Sequence, residues 1–179
     1  GSDTRTVYFE NMSIPKSNIL GKPDRGFKQF LATLTIGRIS ISALALGNSI
    51  GAYDIALKYS NEREAFGKKI NQFQAVSFKL ADMETQIQAS RQLIYHAAWL
   101  KDNNKDVVKD AAIAKLFSSE SAMKITTEAI QILGGYGYIK EYNVERFFRD
   151  AKILTIGEGT SEVQKIVIAR EILKKYINK

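Results

Sequence analysis

Residues 149–164 read RDAKILTIGEGTSEVQ, and within this stretch one helical pattern stops and another begins. Glu158 stands between two glycines, which carry no Cβ and therefore let a ligand approach the backbone closely. Ser161 and Gln164 have the spacing of a helix capping box, so we expect a new helix at this point. The stretch predicts two helices joined by a break that carries one carboxylate.

The same alternation of helix and break extends through most of the chain. Pro15 and Pro23 are the only prolines, and both precede every helical pattern. After them, apolar residues recur at helical spacing. The pattern and its stop signals predict five helices, over residues 26–61, 74–102, 107–133, 144–154 and 160–177. Long helices joined by short loops predict an all-α fold, an antiparallel up-down bundle.

The beginning of the chain has a different character. Residues Thr6–Phe9 are β-branched and aromatic, which predicts a short strand followed by an extended segment. The cluster Gly21–Gly26 is rich in residues that break regular structure. We therefore divide the chain into a short extended or β segment, residues 1–21, and a helical bundle, residues 22–179.

Composition narrows the classes of function. The formal charge of +7 favours an anionic partner: nucleic acid, an acidic membrane surface or a phosphorylated cofactor. Aromatic residues do not interleave with a basic stripe, so we expect no nucleic-acid partner. The most apolar segment, Ile39–Leu57, is interrupted by polar residues, so we expect a buried helix and no membrane span. With no cysteine and one histidine, the sequence predicts no metal site and excludes a serine–histidine triad.

Taken alone, the residues around Glu158 leave two interpretations open. A bound apolar substrate would remove water from the carboxylate and make it a stronger proton acceptor, as a general base requires. The dipole of the following helix acts in the opposite direction, because it stabilises the anion. The second interpretation is an ordinary acidic residue in the first turn of a helix.

Two other groups have the chemistry to hold a phosphate or a flat ring. Arg63, near the end of the first predicted helix, has a planar guanidinium that suits phosphate; alternatively it is an exposed charge, with Phe66 in the core. The run Gln131–Tyr138 is rich in glycine but follows a helix instead of a strand, which excludes the dinucleotide fingerprint. Gly134 or Gly135 either ends a helix or lets a cofactor pass close to the backbone.

In their order and separation, these three groups resemble the acyl-CoA dehydrogenase family, and the resemblance runs from residue 2 to the last helix. It implies that residues 1–21 are the end of the family's middle β-domain with a linker, and residues 22–179 its C-terminal helical domain. It also implies the cofactor FAD and an acyl-CoA substrate. Glu158 would remove the α-proton while hydride passes to FAD, giving a trans-2-enoyl-CoA.

The resemblance also assigns binding residues. Those toward the FAD of a neighbouring subunit would be Arg63, Phe66, Phe73, Gln74, Gln131, Ile132, Leu133, Gly134 and Gly135. Those beside the FAD of the same subunit would be Thr160, Ser161 and Glu162. Those along the acyl-CoA path would be Thr35, Ile36, Gly37, Arg38 and Gly159. Implied partners are an electron-transfer flavoprotein and further copies of the chain, in a homodimer or homotetramer.

The chain departs from the family pattern at two positions. Gly157 stands where several members have tyrosine, which leaves the acyl length open. Gly37 stands where some relatives place their base, and glycine cannot serve as one. An acyl-CoA oxidase of the same superfamily is an alternative, as is a non-catalytic helical domain for oligomerisation when the chain is alone. The resemblance places the protein in the cytoplasm of a bacterium or the mitochondrial matrix of a eukaryote.

Overall fold

A computed structural model of the protein describes residues 3–177, most of which lie in helices. The α-helices are α1 (Gly26–Glu62), α2 (Gln74–Asp102), α3 (Val108–Leu133), α4 (Gly135–Tyr138), α5 (Val144–Leu154) and α6 (Ser161–Ile177). Two strands, β1 (Glu64–Ala65) and β2 (Lys68–Lys69), form a small antiparallel hairpin. Single 3₁₀ turns lie at Lys16–Asn18, Ile70–Gln72 and Lys140–Tyr142.

The predicted all-α class is confirmed, and each of the five predicted helices is present with ends within one residue of the prediction. The strand predicted at Thr6–Phe9 is wrong. Residues 3–10 have no regular secondary structure and are exposed. A strand needs a neighbouring strand for its backbone N–H and C=O groups, and no described segment pairs with this one.

The division at residue 21 stays a prediction. Residues 1, 2, 178 and 179, at the outer ends of the two predicted units, lie outside the described residues.

Helix α3 lies at the centre and contacts α1, α2, α5 and α6. Many of its buried side chains are small, which lets neighbouring helices approach its backbone; the fully buried alanines are Ala111, Ala112, Ala114, Ala122 and Ala129. Gly51 of α1 serves the same purpose, because a Cβ there would lie 2.5 Å from the Phe147 ring of α5. Small residues therefore set how closely these helices pack.

Helix α1 is the one helix in residues 3–177 that is long and apolar enough to cross a membrane. Core helices pass the same test, and α1 packs on α2, α3 and α5. Two of its buried hydroxyls, Ser42 and Ser49, donate to the carbonyls of Arg38 and Ala45 at 2.6 and 2.8 Å. One face of α1 therefore packs inside the bundle, while only 22% of its most apolar window is buried by residues 3–177, less than the buried helix that the sequence predicts.

Candidate active site

The loop between α5 and α6 holds Glu158 in an unusual backbone conformation. Helix α5 ends in turns that return the Ile156 and Gly157 amides to the carbonyl of Ile153. Glu158 (φ +56°) and Gly159 (φ +94°) then both adopt positive φ. Glycine does so freely, whereas a residue with a Cβ loses about 1 kcal/mol. Strain of this kind persists where the surroundings hold it, and it clusters at functional sites.

The Glu158 carboxylate lies against α1 at Gly37. A Cβ added to Gly37 would be 2.6 Å from Oε2 and 2.9 Å from the carboxyl carbon. Oε2 is buried and accepts no hydrogen bond from the described residues. Glu158 precedes the first residue of α6 by three positions, so the first-turn interpretation is wrong. The structure presents a half-buried carboxylate with one buried oxygen that has no hydrogen-bond partner among residues 3–177.

Two buried cations flank this carboxylate. Arg38 of α1 is 6% exposed, and its Nε has no hydrogen-bond partner among residues 3–177. Burial lowers the pKa of Arg38; the Glu158 charge opposes that effect and Arg170 adds to it. The second cation is Lys115 of α3, which is fully buried. The carboxylate therefore sits in a positive local field.

Lys115 and Gln164 contact the backbone of the loop directly. The Nζ of Lys115 donates to the Gly159 carbonyl at 2.7 Å. The Nε2 of Gln164 donates to the Glu158 and Gly159 carbonyls at 3.0 and 2.9 Å. Burial lowers the pKa of Lys115 to about 8, and Arg38 adds to this shift, while Glu120, Glu158 and Glu162 oppose it. Helices α3 and α6 thus hold the loop from two sides.

A separate cavity of about 490 Å³ lies where α1 and α3 end. Its lining includes Arg63, the end of α3 at Ile132–Gly135, and aromatic side chains. The Arg63 guanidinium lies 5.8 Å from the Tyr136 ring centroid. Gly134 (φ +59°) ends α3, and its amide donates to the carbonyls of Ile130 and Gln131. The cavity combines a cation, ring faces and open glycine backbone.

The two sites lie far apart along α1. Gly37 is 26 positions before Arg63, which follows the last residue of the helix. At about 1.5 Å of rise per residue, these positions are about 39 Å apart.

The comparisons with known proteins decide the family. The family model described as "Acyl-CoA dehydrogenase, C-terminal domain" matches residues 24–173. The chain belongs to the acyl-CoA dehydrogenase family.

Curated relatives support this assignment. A probable acyl-CoA dehydrogenase of Bacillus subtilis is 55% identical over 97% of the chain and 46% of its own length. A subunit of the caffeyl-CoA reductase–Etf complex of Acetobacterium woodii is 46% identical over 98% of the chain and 46% of its own length. The chain therefore spans less than half the length of these relatives.

Among solved structures, butyryl-CoA dehydrogenase from Megasphaera elsdenii superimposes with a TM-score of 0.90 at 50% identity. The match covers 92% of the chain and 43% of that protein. Its fold is the same over the matched region.

The structure brings together some of the residues that the acyl-CoA dehydrogenase resemblance singles out. Gly37, Arg38, Glu158 and Gly159 meet at the carboxylate. Thr35 and Ile36 instead line a shallow hollow with residues 101 and 104–108 at the α2–α3 connection. The predicted acyl-CoA path is thus divided between two sides of α1.

Residues Thr160–Glu162 line a third hollow of about 430 Å³, together with basic and acidic side chains of α3 and α5. The predicted capping box is wrong, because Ser161 is already helical. Thr160 caps α6 instead, and its Oγ1 accepts the Val163 amide at 3.4 Å. The Gln164 side chain is thereby free to contact the loop.

The predicted FAD residues of the neighbouring-subunit group also separate. Arg63 and Ile132–Gly135 share the cavity described above, and Gln131 lies exposed on the last turn of α3. Phe66 is 95% exposed, so its alternative placement in the core is wrong. Its ring lies 6.2 Å from that of Phe73, edge to face, and neither these rings nor Gln74 line the cavity.

Sequence reasoning missed Lys115, because a lysine on a helix is ordinarily a surface residue. One signal was available. Ala111, Ala112, Ser118 and Ser119 lie three or four positions from Lys115, which places it on the small-residue face of the helix. A lysine on such a face is directed toward the core.

Proposed function

We propose that the protein containing this chain is an FAD-dependent acyl-CoA dehydrogenase that converts an acyl-CoA to a trans-2-enoyl-CoA, with Glu158 removing the α-proton. The observation that supports this most strongly is the Glu158 carboxylate, held at positive φ over Gly37 with a buried, unpaired oxygen. An oxygen without a competing donor is ready to accept a proton. A bound acyl chain excludes water from it and strengthens it as a base.

Other residues of the chain bind and orient. Arg38 supplies a buried donor beside the carboxylate, suited to a polar group of the acyl-CoA. The family resemblance places Gly159, the residue after the proposed base, next to the substrate. The α-carbon of a thioester is only weakly acidic, so proton removal depends on a desolvated base and on polarisation of the thioester carbonyl together.

The family is FAD-dependent, and the described residues fit that cofactor in two places. At the Arg63 cavity, the planar guanidinium matches a phosphate, and a Cβ added to Gly134 or Gly135 would meet nothing within 4 Å. At the start of α6, Thr160–Glu162 border a hollow beside the loop. When bound, FAD accepts the β-hydrogen of the substrate as hydride.

The separation of about 39 Å between Gly37 and Arg63 supports a shared arrangement. The family resemblance assigns the Arg63 cavity to the FAD of a neighbouring subunit in a homodimer or homotetramer, and its distance from Glu158 along α1 is compatible with that assignment. The electron acceptor is an electron-transfer flavoprotein, which the Etf complex of the Acetobacterium relative supports. The protein works in the bacterial cytoplasm or the mitochondrial matrix, according to its source.

The test is Glu158→Gln in the full-length, FAD-loaded protein, mixed anaerobically with butyryl-CoA. We expect FAD to stay bound and flavin bleaching to fall by at least roughly 10²-fold, the lower bound for a general base. Glu141→Gln, at an exposed turn, is the matched control and should bleach normally. Retained bleaching in Glu158→Gln would reject this base. Rapid reoxidation of the reduced wild type by oxygen would favour the oxidase alternative.

For the chain alone, one observation favours a second function, that of a helical assembly domain. Large apolar side chains stay exposed along residues 7–31: Val7, Tyr8, Phe9, Met12, Ile14, Ile19, Leu20, Phe27, Phe30 and Leu31. Exposed apolar surface on this scale is typical of an interaction surface. We expect the purified 179-residue chain to retain little FAD. A yellow sample with one FAD per chain would contradict this expectation.

A further inference from the structure

Two fully buried polar side chains from different helices donate to one carbonyl oxygen. Lys115 of α3 and Gln164 of α6 are both 0% exposed. Their donors reach the Gly159 carbonyl at 2.7 and 2.9 Å. Gln164 also reaches the Glu158 carbonyl, at 3.0 Å. The two peptide groups that flank Gly159, the first of which carries the Glu158 carbonyl, are thereby tied to the helical core.

We propose that Lys115 and Gln164 are positioning residues that hold the Glu158 carboxylate over Gly37 by fixing the left-handed backbone of Glu158 and Gly159. The inference rests on the proposed function, because it assigns to these residues the alignment of the proposed base. Neither side chain is required to touch the substrate. Their effect on the reaction passes through the loop.

The energetics support a role in addition to packing. Burying an ammonium group is costly even when it is hydrogen-bonded, and an apolar side chain of similar volume avoids this cost. Lys115 bears that cost, as the shift of its pKa to about 8 by burial shows. Gln164 leaves its Oε1 buried with no partner among the described residues. Stability alone would favour methionine at either position.

The loop also needs the restraint that Lys115 and Gln164 provide. Glu158 at φ +56° is strained by about 1 kcal/mol relative to a right-handed conformation, so an unrestrained loop would relax. Gly159 packs closely against the Gln164 side chain, because a Cβ on Gly159 would be 2.8 Å from the Gln164 Nε2. Lys115 of α3, Gln164 of α6 and Gly159 of the loop therefore favour the same loop conformation.

The experiment uses the full-length, FAD-loaded protein with Lys115→Met and Gln164→Met. Both changes remove the donors and keep the side-chain volume. Ser119→Ala is the control, because it removes a buried polar atom of α3 whose hydrogen bond stays within the helix, to the Leu116 carbonyl. Circular dichroism and FAD content verify folding and loading of each variant.

Three quantities are measured in two experiments. In anaerobic stopped-flow with butyryl-CoA, we expect the rate constant of flavin reduction at saturation to fall about 10- to 100-fold, as for a misplaced catalytic group. The apparent Kd of butyryl-CoA should change less than about threefold, because its contacts are retained. In hydrogen–deuterium exchange, amides of residues 155–161 should exchange faster in both methionine variants and at the wild-type rate in Ser119→Ala.

Wild-type reduction rates in the folded methionine variants overturn the inference, whatever the exchange shows. If Lys115→Met does not fold, Gln164→Met decides the matter by the same criteria. The Glu158→Gln result keeps the two proposals apart. Retained bleaching there rejects the base assignment, whereas lost bleaching combined with normal methionine variants rejects only the positioning role.

Discussion

Two junctions between helices in this chain are rich in glycine, and they differ in burial and in what holds their backbone. The loop before α6 is half-buried, and side chains from α3 and α6 hold its carbonyls. The junction after α3 has exposed glycines, and the Gly134 amide bonds only to the helix it ends. In the loop before α6, positive φ is adopted by Glu158, which carries a side chain. At the junction after α3, it is adopted by Gly134, which has none.

The difference shows how one sequence feature can serve two purposes. Where a single functional group must be aligned within a fraction of an ångström, burial and strain are tolerated. Where a long, flat or charged ligand is to be held, open backbone beside an arginine suffices. The same contrast separates the proposed chemistry at Glu158 from the proposed cofactor contact at Arg63.

For the contrast between the two junctions, the largest expected effect comes from Gly37→Ala in the full-length, FAD-loaded protein. The new Cβ would lie 2.6 Å from the Glu158 Oε2 and would displace the carboxylate, so flavin reduction by butyryl-CoA should slow about 100-fold. Gly47→Ala, on the same helix with nothing within 4 Å of its Cβ, should keep the wild-type rate. Both alanines favour the helix by up to about 1 kcal/mol, so equal rates would show that the contact with Gly37 is unimportant.

The second effect concerns the exposed junction after α3, beside Arg63. Arg63→Ala in the full-length protein should raise the Kd of FAD about tenfold, because a charged hydrogen bond contributes roughly 1.5 kcal/mol or more. Flavin fluorescence during titration of the apoprotein measures it. The reduction rate at saturating FAD should be unchanged, in contrast to Gly37→Ala. Arg91→Ala on α2 controls for the loss of one positive charge, and an equal weakening there would remove Arg63 from the site.

The sequence predicts those parts of this molecule that depend on local patterns. Helix ends at residues 74, 102, 144 and 154 follow from apolar spacing and stop signals, because each helix buries one face. The strand at Thr6–Phe9 fails because strand formation depends on a partner that local sequence does not reveal. Lys115 and the Gln164 contact were missed because both depend on which elements meet in space. Glu158 was recognised as a candidate, but its left-handed backbone follows from contacts made by distant helices.

A third, smaller effect tests the strain at the two junctions. Glu158→Gly and Glu158→Ala both remove the carboxylate and differ in their tolerance of φ +56°. The glycine variant of this chain should therefore be more stable by about 1 kcal/mol in urea unfolding. Gly134→Ala should lose at least about the same amount, because Gly134 has φ +59°. Equal stability of the two Glu158 variants would mean that the loop relaxes when the carboxylate is absent.

The last effect concerns the buried ammonium and its pH dependence. Burial lowers the pKa of Lys115 from an ordinary value near 10.5 to about 8, in a setting that includes Arg38, Glu120, Glu158 and Glu162. Between these values the unfolded chain keeps a proton that the folded chain has released, so the free energy of unfolding rises with pH. Below pH 8 both states are protonated and the full cost of burial applies.

Lys115→Met lacks this titration, so the wild type should gain stability relative to it from pH 8 to 10.5. Urea unfolding of both chains across this range measures the difference, and groups common to the two chains cancel. The comparison of wild type with Ser119→Ala should not depend on pH, because neither side chain titrates. A flat difference for Lys115→Met would mean that the ammonium keeps its proton through the window. Burial would then cost less than the structure indicates, and only the hydrogen bond of Lys115 to the Gly159 carbonyl would favour its retention for alignment.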